Sequence, residues 1–392
     1  MRLGHTRFDR LTGRLKRNRF IAAYTSGLTS EDLQRLFTRD TVEAYRFFAR
    51  TIDPAEIATL PWHRRLWAHV RLFFLAFTLK LSPARRAVYG FGVLAELIGL
   101  FQLARLGTGS PGSLFPHGTL AVLLGFLLTN LLVLLEVADR LSLKNDLDIA
   151  REIQQQMLPR GPYTAEGVSA FGRTRPANTV GGDFYDILRA PDGRLLIAVG
   201  DVAGKGSPAA LLMALLLAIF RTLVDEGMEL GMLVERLNHQ VARHAPASRF
   251  ITFFVAAFDP VSGRVDYVNA GHLPPMVWRR STREIERWTA GGIALGMFDH
   301  SRYATTHATL APGDRLVLYS DGLTEAENAA GQPFEDQGLE GVVRAYAADT
   351  PQAFADTVFR LVEHHTKDSR LTDDLTILVL ERLAVAAPVA TP

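Results

Sequence analysis

The sequence predicts a domain of sheets and helices, α+β or α/β in class, preceded by an all-helical region that enters a membrane. Two observations lead to this prediction. Residues 118–135 form a run of 18 residues without a charge, which is about the length of helix that crosses a bilayer core. From residue 160 onward, short β-branched and aromatic runs alternate with two long helical stretches, a pattern typical of layered sheets and helices.

Charge divides the chain in a similar way. Residues 1–87 carry 17 Lys and Arg against 7 Asp and Glu, whereas the remainder carries 26 against 34. A basic N-terminal region indicates an anionic membrane surface or a nucleic acid, and the apolar runs that follow favour the membrane. We therefore expect residues 1–86 to form a basic, helical, cytoplasmic or interfacial region, with no nucleic-acid partner. The chain has no cysteine, which excludes disulfides and thiolate metal sites.

Residues 87–135 are predicted to form a transmembrane helical hairpin. Lys and Arg flank both outer ends, whereas the loop 107–117 has neither, so the positive-inside rule places both ends in the cytoplasm. The charge of Glu96 conflicts with this prediction, because a carboxylate in mid-membrane costs about 2.5 kcal/mol or more. Protonation, pairing in an oligomer, or a helix face turned away from lipid would each resolve the conflict. The competing interpretation is a soluble all-helical domain.

Residues 136–158 are predicted to form a connecting helix. They contain no Gly or Pro before Pro159, and one helical face collects apolar side chains at spacings of three and four: Leu143, Leu147, Ala150, Ile153 and Met157. This face either packs on the next domain or pairs two chains in a signalling homodimer, and both can hold together. The next domain is expected over 160–384, followed by a flexible tail at 385–392.

Within that domain the predicted elements have clear signals. Helices are expected at 207–225 and 351–366. Strands rich in β-branched or aromatic residues, ended by Gly or Asp, are expected at 195–202, 250–259, 264–271, 314–322 and 374–381.

Acidic residues recur where these strands begin or end. Asp201 ends one strand, Asp321 ends another, the pair Asp373 and Asp374 begins the last, and Asp183 lies in VGGDFYD. Each Asp beside a glycine is an ordinary turn former when taken singly. If the strand ends converge, however, the carboxylates repel one another and need cations. Oxygen ligands of this kind suit Mg²⁺ or Mn²⁺, and two such ions can activate a water for attack on phosphorus.

Five motifs in order resemble the PPM-type metal-dependent protein Ser/Thr phosphatases, and most closely their bacterial SpoIIE/RsbU branch. They are VGGDFYD (180–186), GDVAGKGSPAALLMA (200–214), NAGHLPP (269–275), YSDGLTEAEN (319–328) and TDDLTILVL (372–380). The stretch DLDIAREIQQQMLP (146–159) is similar to the helix that leads into those domains. The resemblance covers about 145–383 and implies a PPM-like α-β-β-α sandwich with metals at one end.

The resemblance also implies roles for individual residues. Asp201 would bridge two Mn²⁺ or Mg²⁺ ions, joined by the Val202 carbonyl, and Asp183 would serve the first ion. Asp321 and Asp373 would serve the second, with Asp374 as the alternative if the register at the doublet is shifted by one. A hydroxide at the Asp201 bridge would attack phosphorus, with no phosphoenzyme. His272 is expected to be structural, and Arg175 is the nearest candidate for a phosphate-gripping arginine.

In function, the resemblance implies an enzyme that removes phosphate from phosphoserine or phosphothreonine on a regulatory protein, such as an anti-sigma-factor antagonist. The predicted location is the bacterial cytoplasmic membrane, with the catalytic domain in the cytoplasm. The alternative is a membrane receptor or scaffold with an inactive phosphatase-like domain. A Walker-type phosphate loop is rejected because GDVAGKGS lacks the required spacing. GGDF at 181–184 lacks the acidic residue that would complete a diguanylate cyclase signature.

Overall fold

The computed structural model describes most of the chain from Leu81 onward, in two compact units that divide between Arg140 and Leu141. The predictions for the N-terminal basic region up to residue 80, for most of the loop 107–117 and for the tail lie outside the described residues. The described residues are Pro61, Thr78, 81–106, 115–246, 248–289, 291–367, 369 and 371–384.

The first unit contains an antiparallel pair of apolar helices. Helix α1 spans Pro83–Leu106, and helix α2 spans Phe115–Met157 and continues into the second unit. Glycines allow the close contact between α1 and α2, because a larger side chain would clash there. A Cβ atom added to Gly99 would lie only 2.5 Å from Cγ2 of Val122, and a Cβ added to Gly125 would lie only 2.6 Å from the carbonyl oxygen of Gly92. Small residues let helix backbones approach this closely, as in many membrane helix pairs.

The outer faces of these helices are apolar and exposed. In the part of the chain that the structure describes, Gly118–Met157 is long and apolar enough to cross a membrane, and only 11% of its apolar window is buried. Ser207–Asp225 passes the same test, but 44% of it is buried and it packs on a sheet in the second unit. The composition of Ser207–Asp225 is therefore that of a core helix.

The charge of Glu96 has a partner inside the helix pair. The hydroxyl of Thr129 on α2 donates to Oε1 of Glu96 at 3.2 Å, and Glu96 is half-buried between the helices. At the open end of the pair, Arg85 lies 3.2 Å from Glu136 and 2.7 Å from Asp139. Polar side chains thus pair across the two helices, and Glu96 lies on the face of α1 that contacts α2.

The second unit is built around two antiparallel sheets. One has six strands in the order β1-β2-β11-β10-β7-β8, and the other has five in the order β3-β4-β5-β6-β9. The strands are β1 Tyr163–Ala165, β2 Val168–Arg175, β3 Phe184–Arg189, β4 Leu195–Val202, β5 Ile251–Phe258, β6 Arg264–Ala270, β7 Met276–Arg279, β8 Glu284–Arg287, β9 Thr306–Thr309, β10 Arg315–Tyr319 and β11 Leu375–Arg382.

Helices cover the outer face of each sheet, which gives the α-β-β-α sandwich that the resemblance implied. Helices α3 (Ser207–Asp225) and α4 (Leu230–His244) pack on the five-stranded sheet. The six-stranded sheet carries α5 (Asp321–Thr324), α6 (Glu335–Ala345) and α7 (Pro351–Thr366). One apolar core fills the space between the sheets and beneath α3 and α4, and a second lies beneath α6 and α7.

The predicted helices at 207–225 and 351–366 and the strand at 195–202 are observed as predicted. The strand predicted over 314–322 ends earlier, at Tyr319, because the chain turns into α5 at Asp321. Close packing explains this turn: a Cβ on Gly322 would lie 2.0 Å from the carbonyl oxygen of Asp374. Only glycine permits the backbone to approach β11 at this point.

The two sheets also touch through a glycine. A Cβ on Gly172 of β2 would lie 2.3 Å from the ring of Tyr185 on β3. The Tyr185 hydroxyl donates to the carbonyl of Pro159 at 3.0 Å. The ring therefore joins both sheets to the segment that follows α2.

We predict that Gly172→Ala destabilises the protein, by about 1–3 kcal/mol, because the new methyl group overpacks the Tyr185 ring. The matched control is Gly341→Ala on α6, where a Cβ meets nothing within 4 Å and alanine favours the helix. Thermal denaturation of the full chain in detergent measures both variants. Equal midpoints for the two variants would contradict the close contact.

Candidate metal centre

Neighbouring strands bring the first two predicted ligands together. Asp183 directly precedes β3, and Asp201 lies near the end of β4. These strands pair antiparallel with Phe184 opposite Gly200, which places Asp183 beside Asp201. In the other sheet, Tyr319 of β10 pairs with Ile377 of β11, so Asp321 and Asp373 lie beyond the same end of that pair. The sequence expectation that these strand ends converge agrees with this geometry.

Asp183 is held from the opposite sheet. Its carboxylate is buried and accepts a hydrogen bond of 2.6 Å from the hydroxyl of Ser320, which follows β10. The same hydroxyl accepts from the backbone N–H of Thr376 at 3.1 Å. Burial, followed by the charges of Asp201 and Asp374, raises the pKa of Asp183 well above its ordinary range.

The other carboxylates act on one another in the same way. Burial, together with the charge of Asp321, raises the pKa of Asp201 to about 6. Burial and the charge of Asp373 raise the pKa of Asp321. Five separate acidic side chains therefore share one electrostatic centre, and like charges that interact in this way favour a bound cation.

Asp373 and Asp374 are adjacent in the sequence, but their carboxylates have different contacts. The buried carboxylate of Asp374 accepts backbone N–H groups from Ala177 and Gly182, each at 2.7 Å, and so fastens the loop that leads to Asp183. The Asp373 side chain is 35% exposed and lies 2.8 Å from Nζ of Lys205. Of the two, Asp373 has the more exposed carboxylate.

The Val202 carbonyl lies in a space that depends on glycine. A Cβ on Gly182 would come within 3.0 Å of this oxygen. The bare Cα of Gly182 therefore lets the loop that carries Asp183 pack directly against this buried carbonyl. Close packing next to the predicted ligands thus explains why a glycine occupies position 182 of VGGDFYD.

The donor set fits a hard divalent cation. Every predicted ligand is an oxygen, as Mg²⁺ and Mn²⁺ prefer, and the raised pKa values of Asp183, Asp201 and Asp321 reflect repulsion and burial that a cation would offset. Among the described residues, no three Asp, Glu or His side chains are already grouped closely enough to hold one ion. An open arrangement is the usual one for Mg²⁺, which keeps several waters and takes few protein ligands.

Two basic residues, Lys205 and Arg175, form ion pairs with carboxylates. The ammonium of Lys205 contacts the Asp373 carboxylate and donates to the carbonyl of Thr372, so it lies at the edge of the centre. Arg175 forms an ion pair with Glu363 on α7. This pairing does not support the role in phosphate binding for which Arg175 was the nearest candidate.

His272 has hydrogen bonds at both ring nitrogens. Nδ1 lies 2.9 Å from the hydroxyl of Thr252, and Nε2 lies 3.1 Å from the carbonyl of Tyr319. Burial lowers the pKa of His272 to about 4, so the neutral ring donates from Nε2 to the carbonyl and accepts at Nδ1. This arrangement agrees with the expected structural role of His272.

A cavity of about 180 Å³ opens between Asp201 and Asp321. Its wall is formed by Thr252 and the segment Gly271–Pro274. The cavity has room for a small anionic group beside the carboxylates.

Gln154 on α2 is a supporting residue that the sequence did not reveal. Its buried side chain donates from Nε2 to the Gly181 carbonyl at 2.7 Å and accepts the Gly181 N–H at 3.1 Å. Gly181 packs on Asp374, whose Oδ2 would lie 2.4 Å from an added Cβ. Helical periodicity gives no sign of such a contact, because it reports which face is apolar and not which polar side chain meets a loop.

Comparison with known proteins shows which family the C-terminal domain resembles. Residues 191–383 match the family model described as Stage II sporulation protein E (SpoIIE). The chain is 28% identical over 240 residues to phosphoserine phosphatase RsbU of Bacillus subtilis, covering 61% of this chain and 71% of RsbU. The C-terminal part of the chain is a phosphatase domain of PP2C type that is similar over residues 191–383 to the SpoIIE family. Phosphatases of PP2C type are metal-dependent hydrolases.

Solved structures support the same fold for the SpoIIE-type domain. The SiaA-PP2C domain of Pseudomonas aeruginosa superposes with a TM-score of 0.54 at 22% identity, covering 63% of this chain and 99% of that one. The RsbU and RsbW domains of Rv1364c from Mycobacterium tuberculosis give a TM-score of 0.50 at 27% identity, covering 57% of this chain and 62% of that one. Parts of RsbU and of the mycobacterial chain thus lie outside the matched region.

We predict that Gln154→Ala weakens divalent-metal binding, because the Gly181 N–H and carbonyl lose their partner and the loop that carries Asp183 loosens. Leaving such buried groups unpaired costs about 1–3 kcal/mol. Titration calorimetry of the full chain in detergent with MnCl₂ should show a weaker association. Gln155→Ala is the control, since Gln155 is exposed on the same helix. Identical binding by both variants would contradict the coupling between α2 and the loop.

Proposed function

We propose that this protein is a membrane-anchored phosphatase that hydrolyses phosphoserine or phosphothreonine on a regulatory protein. One observation carries the proposal: Asp183, Asp201 and Asp321 meet at one end of a SpoIIE-type sandwich, beside a small cavity. The similarity to RsbU, a protein named as a phosphoserine phosphatase, supports phosphoserine as the group attacked.

The proposed ligands for two Mn²⁺ or Mg²⁺ ions are those that the resemblance implied. Asp201 and the Val202 carbonyl would serve both ions, Asp183 the first, and Asp321 and Asp373 the second. Asp373 is preferred over Asp374 because the latter carboxylate is taken up by backbone N–H groups. When bound, such ions lower the pKa of a water and neutralise charge on a phosphoryl group.

The chain's own residues organise this chemistry. Ser320 orients the Asp183 carboxylate by a hydrogen bond of 2.6 Å. Asp374 fixes the backbone of Gly182, and neutral His272 joins β5 to the end of β10 through Thr252 and the Tyr319 carbonyl. Each contact fixes a group at the centre before substrate arrives, and pre-orientation of this kind lowers the barrier.

The proposed substrate is a phosphorylated regulatory protein, such as an anti-sigma-factor antagonist. The kinship with RsbU and the pairing of RsbU and RsbW domains in one mycobacterial chain support a signalling role. The cavity of about 180 Å³ suits a phosphorylated side chain presented by a larger molecule.

The proposed anchor is the helix pair α1 and α2, with the phosphatase domain in the cytoplasm. Support comes from exposed apolar side chains on both helices, including Phe91, Leu120 and Leu134 at 68%, 64% and 65% exposure. Contiguous apolar surface of this kind is unfavourable in water. The basic flanks at both outer ends support the orientation.

We also propose a homodimer in which α2 relays a signal to the phosphatase domain. Apolar side chains of the second unit are exposed on α2 and α3, among them Ile153 at 56% and Leu211 at 72%. A second copy would cover them. The Gln154 contact with Gly181 would connect a change in α2 to the metal centre.

Phosphate release by the full chain in detergent tests the enzymatic proposal. With Mn²⁺ present, we expect release from a phosphoserine protein, and Asp201→Ala should lower the rate by about a thousandfold or more because a shared metal ligand is lost. Asp225→Ala is the control, since Asp225 is exposed at the end of α3. Absence of release with every divalent ion tried, or full activity in Asp201→Ala, would favour the inactive receptor or scaffold instead.

We predict that the full chain stays in the membrane fraction after alkaline carbonate washing, because the helix pair is inserted in lipid. Replacing Leu123 and Leu127 of α2 with Arg should release a large share of the protein, since each mid-membrane Arg costs about 2.5 kcal/mol or more. Recovery of unaltered protein in the wash would instead support a soluble helical domain.

A further inference from the structure

The metal-centre cavity is too small to account for recognition of a whole protein. At about 180 Å³ it accommodates a phosphorylated side chain and little else. A protein substrate must therefore gain most of its affinity from surface around the cavity, where a few buried contacts usually dominate binding. This inference rests on the proposed function and asks which part of the surrounding surface the substrate contacts.

One segment, residues 291–299, is joined by backbone hydrogen bonds to Asn269 and Ile251, which lie close to the cavity wall in the sequence. The N–H of Gly292 donates to the carbonyl of Asn269 at 2.6 Å, and Leu295 exchanges two hydrogen bonds with Ile251, at 2.8 and 3.0 Å. A Cβ on Gly271, which lines the cavity, would lie 2.8 Å from the backbone nitrogen of Ala294. The segment and the cavity wall thus form one continuous surface.

A buried side chain fixes the backbone of this segment. Asn238 on α4 has no solvent exposure. It accepts the N–H of Gly296 at 2.9 Å and donates to the carbonyls of Phe298 and Asp299 at 2.9 and 3.1 Å. The exposure of the side chains on the segment is therefore a property of a firmly held loop.

The segment and Phe250, the residue directly before β5, expose four large apolar side chains, which we term the apolar rim. The rim consists of Phe250 at 38% exposure, Ile293 at 36%, Met297 at 48% and Phe298 at 63%. The two parts are adjacent, since a Cβ on Gly296 would lie 3.9 Å from Cα of Phe250. Outside α2 and α3, the other exposed large apolar side chains described in this unit are Met232, Val261 and Tyr346, each on a different element. Grouped apolar exposure of this kind marks an interaction site.

A basic side chain, that of Arg249, lies between the apolar rim and the metal centre. Arg249 precedes Phe250, and its guanidinium donates to the carbonyl of Ala203 at 2.5 Å, directly after Asp201 and Val202. Among the residues that the structure describes, no carboxylate forms an ion pair with Arg249. The remaining N–H groups of the guanidinium can serve an anion, and a phosphoserine carries a charge of about −1.5 to −2.

We propose that the apolar rim, with Arg249 at its inner edge, is the docking surface for the serine-phosphorylated protein substrate. The substrate's apolar surface beside the phosphoserine covers Met297 and Phe298, and its anionic group passes Arg249 on the way to the cavity. The rim sets affinity for the protein, whereas the carboxylate centre acts on the phosphate. Small phosphate esters therefore do not use the rim.

Steady-state kinetics of the full chain in detergent with Mn²⁺ tests this division. The two substrates are a serine-phosphorylated anti-sigma-factor antagonist and p-nitrophenyl phosphate. The double variant Met297→Ser, Phe298→Ser should raise KM for the phosphoprotein about tenfold or more and leave kcat/KM for p-nitrophenyl phosphate within about twofold. Val261→Ser is the matched control, because Val261 is 84% exposed in the β5–β6 turn, and it should change neither value.

Unchanged KM for the phosphoprotein, or equal losses on both substrates, would overturn the docking role. A shift of the double variant to a smaller species in sedimentation, without a change in KM, would also overturn it and assign the rim to contact between copies of the chain. If the double variant has a lowered thermal midpoint, Phe298→Ala alone decides by the same criteria. Failure of the unaltered protein on p-nitrophenyl phosphate would reject the proposed function itself, which distinguishes that failure from failure of the docking role.

Discussion

The phosphatase domain depends on bringing several carboxylates of the same charge into one partly buried place. Burial and mutual repulsion raise the pKa of Asp183, Asp201 and Asp321, so their closeness must be imposed by the rest of the fold. Two antiparallel sheets supply it, because β3 and β4 present one pair of carboxylates and the ends of β10 and β11 present the other. The hydrogen bond from Ser320 to Asp183 and the close contact of Gly322 with Asp374 keep these ends together.

Much of this arrangement was accessible from the sequence. The alternation of strands and helices after residue 160 predicted the fold class, and the recurrence of Asp beside Gly at strand ends predicted which carboxylates the fold would bring together. The early end of β10 was missed, because the pattern YSDG does not reveal that Gly322 packs against β11. The two-layer sandwich itself came from the motif resemblance, since local patterns do not determine how sheets stack.

The supporting contacts could not be predicted for a different reason. Gln154 holds Gly181, and Asp374 holds Gly182, across 27 and 192 residues of chain. Neither interaction has a local signature, because each pairs a polar side chain with backbone groups brought near only by the fold. The distinct tasks of Asp373 and Asp374, neighbours with the same side chain, likewise depend on which direction each carboxylate faces in three dimensions.

The position of β11 in its sheet has a consequence for biosynthesis. Leu375–Arg382 is the last strand in the described part of the chain, yet it lies between β2 and β10, and Asp373 and Asp374 immediately precede it. A nascent chain therefore cannot complete the six-stranded sheet, or unite its acidic groups, until nearly all of the described domain has left the ribosome. Translation products that stop before Asp373 therefore lack both a central strand of the sheet and the two acidic residues that precede it.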